Sequence, residues 1–491
     1  MLVPFFRWPS VGEFVDRTED LAEMRRWWAS RDPTPLSLFG RRRCGKSWLL
    51  RRFAHGLPAV ILVARRTAPG AQLDDFARTL EPLLGVRPDL PDLPTLIRVL
   101  YRAAATHKIL VVIDEFPYLL PTTEVETVRE LTAIAAVMEE EREATRLKLV
   151  LCGSLVSQME SLLAERSPLH GRLRPMQLHP VAFPQARLFL PDLDEVRQFE
   201  RFAMAGGMPR YLDALRGPGS LPDLLCDMFL NPRGALWDEG RAVLEQELRE
   251  PKVYFAVLQS LATGDKDSTE IANAVRSDGS RVSKYLSVLT QLRLVERRTP
   301  AGAAPGSRNG HWHLRDPFLR FWFRFVFPFQ DHLEAGLPSR SMFDTEVAPL
   351  LHDHIAPEFE DYCRRWTRAT QPVTKVDPWW GPSVHAHRRA GTRSSEEIDI
   401  VATARGRVTA VGEVRWRSAA MGVSYLREVE TYKLPALRQS DLTMARTPTL
   451  LLFSRGGYTP ELVSEAGRRT DLLLVDVPAA LRGEGVTPPP T

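Results

Sequence analysis

The sequence predicts an α/β protein of several domains that begins with a parallel β-sheet covered by helices. Short apolar runs alternate with amphipathic segments through the first 180 residues, which is typical of strands buried between helices. A chain of 491 residues is too long for one hydrophobic core, and a second group of strand-like runs begins near residue 398. The predicted strands are Leu36–Phe39, Ala59–Val63, Ile109–Ile113, Leu147–Cys152, Ile398–Ala402, Val408–Val414, Thr449–Phe453 and Leu472–Val475.

The composition is that of an ordinary globular protein, with 44% hydrophobic and 26% charged residues. The formal net charge of +4 is small for this length, so it permits nucleic-acid binding without arguing for it. The four cysteines form no CxxC pair, which favours reduced thiols over a disulfide framework or a zinc site. The most apolar segment, Phe318–Phe329, carries two arginines and is too short to span a bilayer. We therefore expect a cytoplasmic protein with no membrane partner.

A phosphate-binding motif follows the first predicted strand. Residues 40–47, Gly-Arg-Arg-Arg-Cys-Gly-Lys-Ser, match GxxxxGK[ST] and open a helix. The glycines let backbone N–H groups converge on phosphate oxygens, and the helix N-terminus adds partial positive charge. Lys46 is expected to reach the β- and γ-phosphates of ATP, and the Ser47 hydroxyl to ligate Mg²⁺. The expected nucleotide contacts are Gly40, Arg41, Arg42, Arg43, Cys44, Gly45, Lys46, Ser47 and Trp48.

Two carboxylates follow the strand Ile109–Ile113. Burying a carboxylate at the end of an apolar strand is costly unless it meets a cation. Asp114 is therefore expected to hold Mg²⁺ indirectly, through the groups that coordinate the ion. Glu115 is expected to orient and polarise the attacking water as a general base. The pair alone is a weak signal, but it becomes strong with the phosphate loop upstream. Together the two motifs predict ATP binding and hydrolysis.

A third strand, Leu147–Cys152, runs into Gly153 and Ser154. A polar residue at this strand tip would face the γ-phosphate or the attacking water, so Ser154 is a candidate sensor. The alternative is a plain turn residue. The three arginines of the phosphate loop also have more than one possible role, because they could contact phosphate, a partner or solvent.

Several further segments occur in a specific order along the chain. They are Phe14-Val-Asp-Arg17, the phosphate loop, Ile113-Asp-Glu-Phe-Pro-Tyr-Leu119, Cys152-Gly-Ser154, Ser167-Pro-Leu-His-Gly-Arg172 and Gly206-Gly-Met-Pro209. Together they resemble the archaeal-type DEXX-box ATPases, a branch of the AAA+ and STAND-like P-loop proteins. The resemblance covers nearly the whole chain, and Asp-Glu-Phe-Pro-Tyr and Gly-Gly-x-Pro are its more specific parts.

The resemblance implies an ASCE-type core sheet and further residues at the nucleotide. It places Asp16 and Arg17 near the adenine, and makes Pro209 part of a lid motif that reads nucleotide state as domain rotation. It makes Arg172 a sensor or an arginine finger, in cis or in trans, although a solvated basic loop is the alternative. A homo-oligomer is accordingly among the candidate partners.

A helix–turn–helix pattern with a following hairpin appears between residues 268 and 314. Apolar residues recur at helical spacing in the second helix, while Arg281 and Lys284 lie on its other face and Arg308 lies in the hairpin tip. This winged-helix pattern indicates duplex contact, with the helix in the major groove and arginines on phosphates. The alternative, known for STAND-like ATPases, is an internal regulatory domain. DNA is therefore a candidate partner.

In the C-terminal region, two neighbouring strands would bring Asp399 and Glu413 together. Paired carboxylates can hold a divalent cation that activates water for phosphodiester cleavage. The region resembles the PD-(D/E)xK, restriction-endonuclease-like fold, which adds Glu360 as a further acid. However, Arg415 stands where that family has lysine, and arginine cannot act as a base. Lys433 is a possible substitute, and a fold kept only for binding or assembly is the alternative.

These readings predict an ATPase core at 1–180, a helical lid at 181–248, a winged helix at 249–335, a nuclease-like domain at 336–485 and a disordered tail at 486–491. The leading hypothesis is an ATPase that couples nucleotide state to the winged helix and the nuclease-like domain on DNA. The alternatives are an ATP-regulated, metal-dependent nuclease and an ATP-dependent signalling switch without nucleic acid.

Overall fold

The computed structural model describes residues 15, 17–248, 251–304, 306–383 and 395–482. The chain forms two compact units. The first comprises Met1–Val181 together with Met208–Arg210, and the second comprises Ala182–Gly207 and Tyr211–Thr491. The chain therefore leaves the first unit, returns to it for three residues and leaves it again. Among the described residues, no helix has both the length and the apolar character that crossing a membrane requires.

The first unit is a parallel five-stranded sheet with helices between its strands. Its elements are α1 (Thr18–Ala29), β1 (Leu36–Phe39), α2 (Lys46–Ala54), β2 (Ala59–Val63), α3 (Pro69–Leu84), α4 (Leu93–Ala103), β3 (Ile109–Asp114), α5 (Glu124–Glu141), β4 (Leu147–Gly153), α6 (Val156–Leu163) and β5 (Arg174–Gln177). The strand order is β2-β3-β4-β1-β5 and every pairing is parallel. Strand β4 thus separates β1 from β3, the arrangement that an ASCE-type sheet requires.

Strands β3 and β4 consist mostly of apolar residues and are buried, as expected for strands covered by helices on both faces. One exception is Lys148, which lies in β4 between two leucines and is only 3% exposed. Its Nζ donates to Trp27 O at 2.8 Å, Ser30 Oγ at 3.1 Å and Asp32 O at 2.6 Å. Burial lowers the pKa of Lys148 to about 8. The side chain thus ties the C-terminal end of α1 to the sheet.

Lys148→Met should lower the free energy of unfolding by about 1–3 kcal/mol, because buried acceptors lose their donor. Urea unfolding of this variant, with the exposed Arg146→Met as control, measures the effect. The wild type should also gain stability relative to Lys148→Met as the pH rises from about 8 towards 10.5, because the unfolded chain then binds more protons. Equal free energies of unfolding for the wild type and Lys148→Met at every pH would contradict the stabilising role assigned to Lys148.

The second unit begins with helices and ends in a mixed sheet. Its elements are α7 (Phe183–Ala186), α8 (Glu195–Ala205), α9 (Pro209–Ala214), α10 (Leu221–Met228), α11 (Glu239–Glu247), α12 (Pro251–Ala262), α13 (Ser268–Ala274), α14 (Gly279–Gln291), β6 (Val295–Arg298), β7 (His311–Leu314), α15 (Pro317–Phe321), α16 (Gln330–Glu334), α17 (Ser339–Met342), α18 (Leu351–Thr370), β8 (Lys375–Pro382), β9 (Ser395–Ala404), β10 (Arg407–Arg415), α19 (Val423–Glu428), α20 (Leu434–Arg438), β11 (Met444–Ser454), α21 (Pro460–Ala466), β12 (Leu472–Asp476) and α22 (Val477–Arg482). The first two residues of α9 belong to the first unit.

The C-terminal sheet has the order β12-β11-β10-β9-β8. Strands β8, β9 and β10 pair antiparallel, whereas β10, β11 and β12 pair parallel. An aromatic cluster joins α7 and α8 to α18 and to the residue that follows β10, with ring centroids 4.8–5.8 Å apart. Its members are Phe183, Phe199, Phe359, Tyr362 and Trp416. The helices that we predict as a lid thus pack within the second unit.

The β6–β7 hairpin packs against the C-terminal sheet. In the segment that joins its strands, the Ala301 N–H donates to Pro378 O at 2.8 Å, and Ala301 is buried in the core of that sheet. His311 stacks on Trp380 with centroids 4.8 Å apart, and the Trp380 indole N–H donates to Asn309 Oδ1. A hairpin held in this way is not a free loop.

The strands predicted from apolar runs are all present, although most extend by one or more residues. Strands β5 and β8 are present without having been predicted. The predicted tail at 486–491 lies outside the described residues, as does Asp16. The winged-helix and nuclease-like identities stay predictions, because the elements alone do not assign them.

Candidate functional site

The phosphate loop lies between β1 and α2. Only glycine fits at position 40, because a Cβ there would lie 2.3 Å from Leu178 O. Gly45 has a φ of +94°, which an L side chain rarely adopts. The Lys46 Nζ donates to Gly40 O at 2.7 Å and to Arg41 O at 3.2 Å. The loop thus curls around the Lys46 ammonium group, as a phosphate cradle requires.

Acidic groups from β3 lie beside this loop. The Ser47 Oγ lies 3.5 Å from Asp114 Oδ2, although the two residues are 67 positions apart in sequence. The second Asp114 oxygen accepts the Glu115 N–H at 3.0 Å. Burial, and then the charge of Asp114, raises the pKa of the neighbouring Cys152 thiol well above its ordinary value, so this thiol stays protonated. The structure therefore brings the two predicted Mg²⁺-binding residues together.

Glu115 is held in one orientation by the tip of β4. Its backbone has a φ of 55°, an uncommon conformation for a residue other than glycine. Its Oε2 accepts the Ser154 N–H at 3.0 Å and the Ser154 hydroxyl at 2.8 Å. Ser154 is buried. The predicted sensor thus contacts the predicted base directly, which adds a third interpretation of Ser154: it orients Glu115.

Ser154→Ala should lower kcat about tenfold while KM stays near the wild-type value, because a hydrogen bond to a charged group contributes about 1.5–3 kcal/mol and the backbone N–H bond remains. Steady-state phosphate release measures both constants. Ser161→Ala, on the exposed side of α6, is the control. A change in KM alone would contradict a role through Glu115.

Two residues implied by the resemblance lie against the phosphate loop. The Arg17 Nη2 donates to Cys44 O at 2.7 Å, and its Nη1 lies 3.3 Å from Asp20. A Cβ placed on Gly45 would lie 3.7 Å from Pro209 Cγ. These contacts place Arg17 and Pro209 beside the loop, whereas Asp16 is outside the described residues.

Other predicted contacts lie at the surface. Trp48 is 43% exposed, which leaves its ring accessible beside the loop. Arg43 is also exposed, while Arg41 and Arg42 are half-buried. Arg172 is exposed, its Nη1 donates to Pro168 O at 3.3 Å, and its Nε lies 3.8 Å from the Glu139 carboxylate. The structure therefore does not bring Arg172 to the loop of its own chain through these contacts.

A second acidic cluster lies in the C-terminal sheet and on α18. The Asp399 Oδ2 accepts the Val414 N–H at 2.8 Å, next to Glu413. Burial and then the charge of Asp399 raise the pKa of Glu360 well above its ordinary value, and the same causes raise that of Glu413 to about 8. Burial also raises the pKa of Asp399. We call Glu360, Asp399 and Glu413 the carboxylate cluster.

Lys433 points into this cluster. It ends a π-helical turn, Val429–Lys433, and its buried Nζ lies 2.5 Å from Glu413 Oε2. Tyr425 donates its hydroxyl to the same oxygen at 2.7 Å. The other oxygen, Glu413 Oε1, is buried, and no described residue forms a hydrogen bond with it. Arg415 instead lies exposed, with its guanidinium 4.2 Å from the centre of the Tyr425 ring.

The predicted DNA contacts are exposed. Arg281 lies on α14, 3.2 Å from the Asp278 carboxylate, and Lys284 lies one turn further along the helix. Arg308 lies in the segment between β6 and β7. The exposed face of α14 also carries Ser280, Ser283 and Ser287. This face is therefore polar and basic.

Two parts of the chain match known families. Residues 14–215 match a family described as an ATPase domain predominantly from Archaea. Residues 322–433 match a family of archaeal and bacterial proteins of unknown function. An uncharacterised protein of Methanocaldococcus jannaschii is 26% identical over 399 residues, which cover 79% of this chain and 84% of that protein.

Two solved structures match parts of this chain. The Walker-type ATPase of Pyrococcus abyssi has 19% identity and a TM-score of 0.48, and the match covers 66% of this chain and all of that one. The ORC2 protein of Aeropyrum pernix, solved as ADPNP and ADP complexes, has 15% identity and a TM-score of 0.43, with 71% and 96% covered.

The fold, the loop and the family match together define the class of the first unit. It is a P-loop ATPase core, in which a parallel sheet presents a GxxxxGK[ST] loop and an acidic strand end at one edge. The matched family of the C-terminal region has no assigned function, so the nuclease-like interpretation stays a prediction.

Proposed function

We propose that this protein binds ATP at residues 40–47 and hydrolyses it, with Glu115 as the general base. The observation that carries the proposal is the meeting of Ser47, Asp114 and Glu115 at one edge of the sheet. Lys46 would bind the β- and γ-phosphates. Ser47 and Asp114 would hold Mg²⁺, which neutralises phosphate charge when bound. Glu115 would accept the proton of the attacking water, in an orientation that Ser154 stabilises.

Nucleotide state would be passed to the second unit through Pro209. Residues 208–210 belong to the first unit, whereas the residues on either side of them belong to the second. Gly206 and Gly207 precede this segment with φ values of 63° and 70°, a conformation that glycine adopts at little cost. These features support the proposal that the segment acts as a hinge. Its conformation would depend on the nucleotide bound at the phosphate loop. Arg172 would act as an arginine finger in trans if the protein assembles.

ATPase activity with and without DNA, measured alongside molecular mass with and without ATP, tests this function. We expect Mg²⁺-dependent phosphate release that Glu115→Gln abolishes. A larger mass with ATP would support the finger in trans, and Arg172→Ala should then lower kcat without lowering ATP affinity. Absence of hydrolysis under every condition would contradict the proposal.

DNA is the proposed partner of the exposed face of α14. Since phosphate contacts release counterions, the affinity should fall steeply with salt, and Arg281→Ala with Lys284→Ala should reduce both affinity and salt dependence. Binding to a labelled duplex at several salt concentrations checks this, with Arg233→Ala as an exposed control. No binding in any nucleotide state would favour a signalling switch without nucleic acid.

A metal-dependent nuclease is a second candidate, favoured by the environment of Glu413. In the described part of the chain, the buried Oε1 of Glu413 has no hydrogen-bond partner. Lys433, whose Nζ contacts the other oxygen of Glu413, could substitute for the lysine whose place Arg415 takes. A divalent cation held by these carboxylates would activate water for phosphodiester cleavage when bound. Lys433 could then stabilise developing charge. Plasmid incubated with Mg²⁺ or Mn²⁺ should be cut by the wild type and not by Asp399→Ala, and uncut plasmid in every nucleotide state would exclude this function.

A further inference from the structure

An arginine from outside the phosphate loop holds a backbone carbonyl within it. The Arg17 Nη2 donates to Cys44 O at 2.7 Å, although 27 positions separate the two residues in sequence. The Arg17 Nη1 donates to Asp20 Oδ2 at 3.3 Å, in the first turn of α1. A guanidinium is planar, so Asp20, by binding one nitrogen, helps to fix where the other points. Arg17 thus grips the loop with an oriented fork.

This hydrogen bond sets the direction of a backbone N–H group. A trans peptide is planar, so the Cys44 carbonyl and the Gly45 N–H point in opposite directions. Because Cys44 O points towards Arg17, the Gly45 N–H points away from it. Gly45 directly precedes α2, at the position where a loop of this kind offers its N–H groups to phosphate. Arg17 therefore orients a phosphate-binding donor that it does not itself contain.

The backbone is in an uncommon conformation at both ends of this contact. Arg43 and Gly45, on either side of Cys44, have φ values of 69° and 94°. Glycine adopts this region at little cost, whereas arginine seldom does. Arg17 itself has a φ of 66°. Conformations of this kind persist only where surrounding contacts hold them, and they are common at functional sites. The bond between Arg17 and Cys44 is such a contact.

We propose that Arg17 is a positioning residue, which acts through Cys44 to keep the Gly45 N–H directed at the phosphates of the nucleotide. This inference rests on the ATP binding proposed above. The resemblance instead places Arg17 near the adenine, and the two roles differ in what they recognise. A residue that orients the loop changes the affinity for phosphates whatever base they carry, whereas a contact with adenine changes the affinity for the base.

Displacement of a fluorescent ATP analogue from the full chain by ATP, tripolyphosphate and adenosine, each with Mg²⁺, separates these roles. Tripolyphosphate has no base, and adenosine has no phosphate. The variants are Arg17→Met, which keeps the apolar stem, and Arg17→Lys, which keeps the charge without the fork. Arg25→Ala changes an exposed arginine of α1 and is the control. Thermal unfolding of each variant reports its folding.

Arg17→Met should weaken the binding of ATP and of tripolyphosphate by the same factor, about tenfold or more, because a hydrogen bond from a charged group is lost. Its affinity for adenosine should match that of the wild type, which a general loss of structure would not allow. Arg17→Lys should lose less, since an ammonium group can still donate to Cys44 O. Arg25→Ala should bind all three ligands like the wild type.

Unchanged binding of tripolyphosphate in Arg17→Met, with weaker binding of ATP and adenosine, would assign Arg17 to the adenine and overturn the positioning role. Wild-type affinity for all three ligands would overturn it as well. Both outcomes leave ATP binding standing. If ATP fails to displace the analogue from the wild type, the ATP-binding function is removed and this inference with it. Should Arg17→Met fail to fold, Arg17→Gln takes its place, and the same outcomes decide.

Discussion

Glu115→Gln should lower kcat by roughly 10²–10⁴-fold, the range that a general base contributes. The amide has nearly the shape of the carboxylate and can still accept the Ser154 hydroxyl proton, but it cannot take a proton from water. ATP affinity should therefore stay close to that of the wild type, because Lys46 and Ser47 are untouched. Phosphate release and equilibrium binding of a fluorescent ATP analogue separate these two effects.

The control for this variant is Glu143→Gln, which changes an exposed carboxylate of the same unit. It should hydrolyse ATP like the wild type. Normal turnover by Glu115→Gln would transfer the role of base to another group and would leave the contact with Ser154 a structural one.

Lys46→Ala should weaken ATP binding by about 10–100-fold, because a charge-assisted hydrogen bond to phosphate contributes about 1.5–3 kcal/mol. Hydrolysis should fall further, since the same ammonium group stabilises charge in transfer of the γ-phosphate. Calorimetric titration with Mg-ATP measures the binding change.

Arg52→Ala is the matched control, because this exposed residue lies on the same helix as Lys46. Its ATP affinity should match that of the wild type. Unchanged affinity in Lys46→Ala would mean that backbone N–H groups alone hold the phosphates, and it would contradict the role assigned to the side chain.

The residues at the proposed nucleotide-binding edge of the first sheet could be predicted because their sequence motifs are local. One loop supplies Lys46 and Ser47, and parallel strands bring their carboxyl ends to the same edge, which places Asp114 and Glu115 there. The contact between Ser154 and Glu115 was not predictable, because it depends on how two strand tips turn. The sequence indicated only that a polar residue ends β4.

Other features lacked a local signal. Strand β5, Arg-Pro-Met-Gln, has little apolar character, and β8 contains Pro378 and Pro382, which argue against a strand. Lys433 is distant in sequence from Glu413, and a π-helical turn decides where it points. A buried lysine such as Lys148 would be predicted to lie at the surface by any method based on hydrophobicity. Each of these features depends on contacts between distant parts of the chain.

The hairpin seated on β8 also has a consequence for self-association. Strand β8 ends the C-terminal sheet, with β9 as its neighbouring strand there. An end strand presents unpaired backbone groups that can template pairing with another chain. Here Pro378 and Pro382 lack amide hydrogens, and the Ala301 N–H takes up the carbonyl of Pro378. The β6–β7 hairpin therefore blunts an edge that could otherwise recruit a second copy into an extended, aggregating sheet.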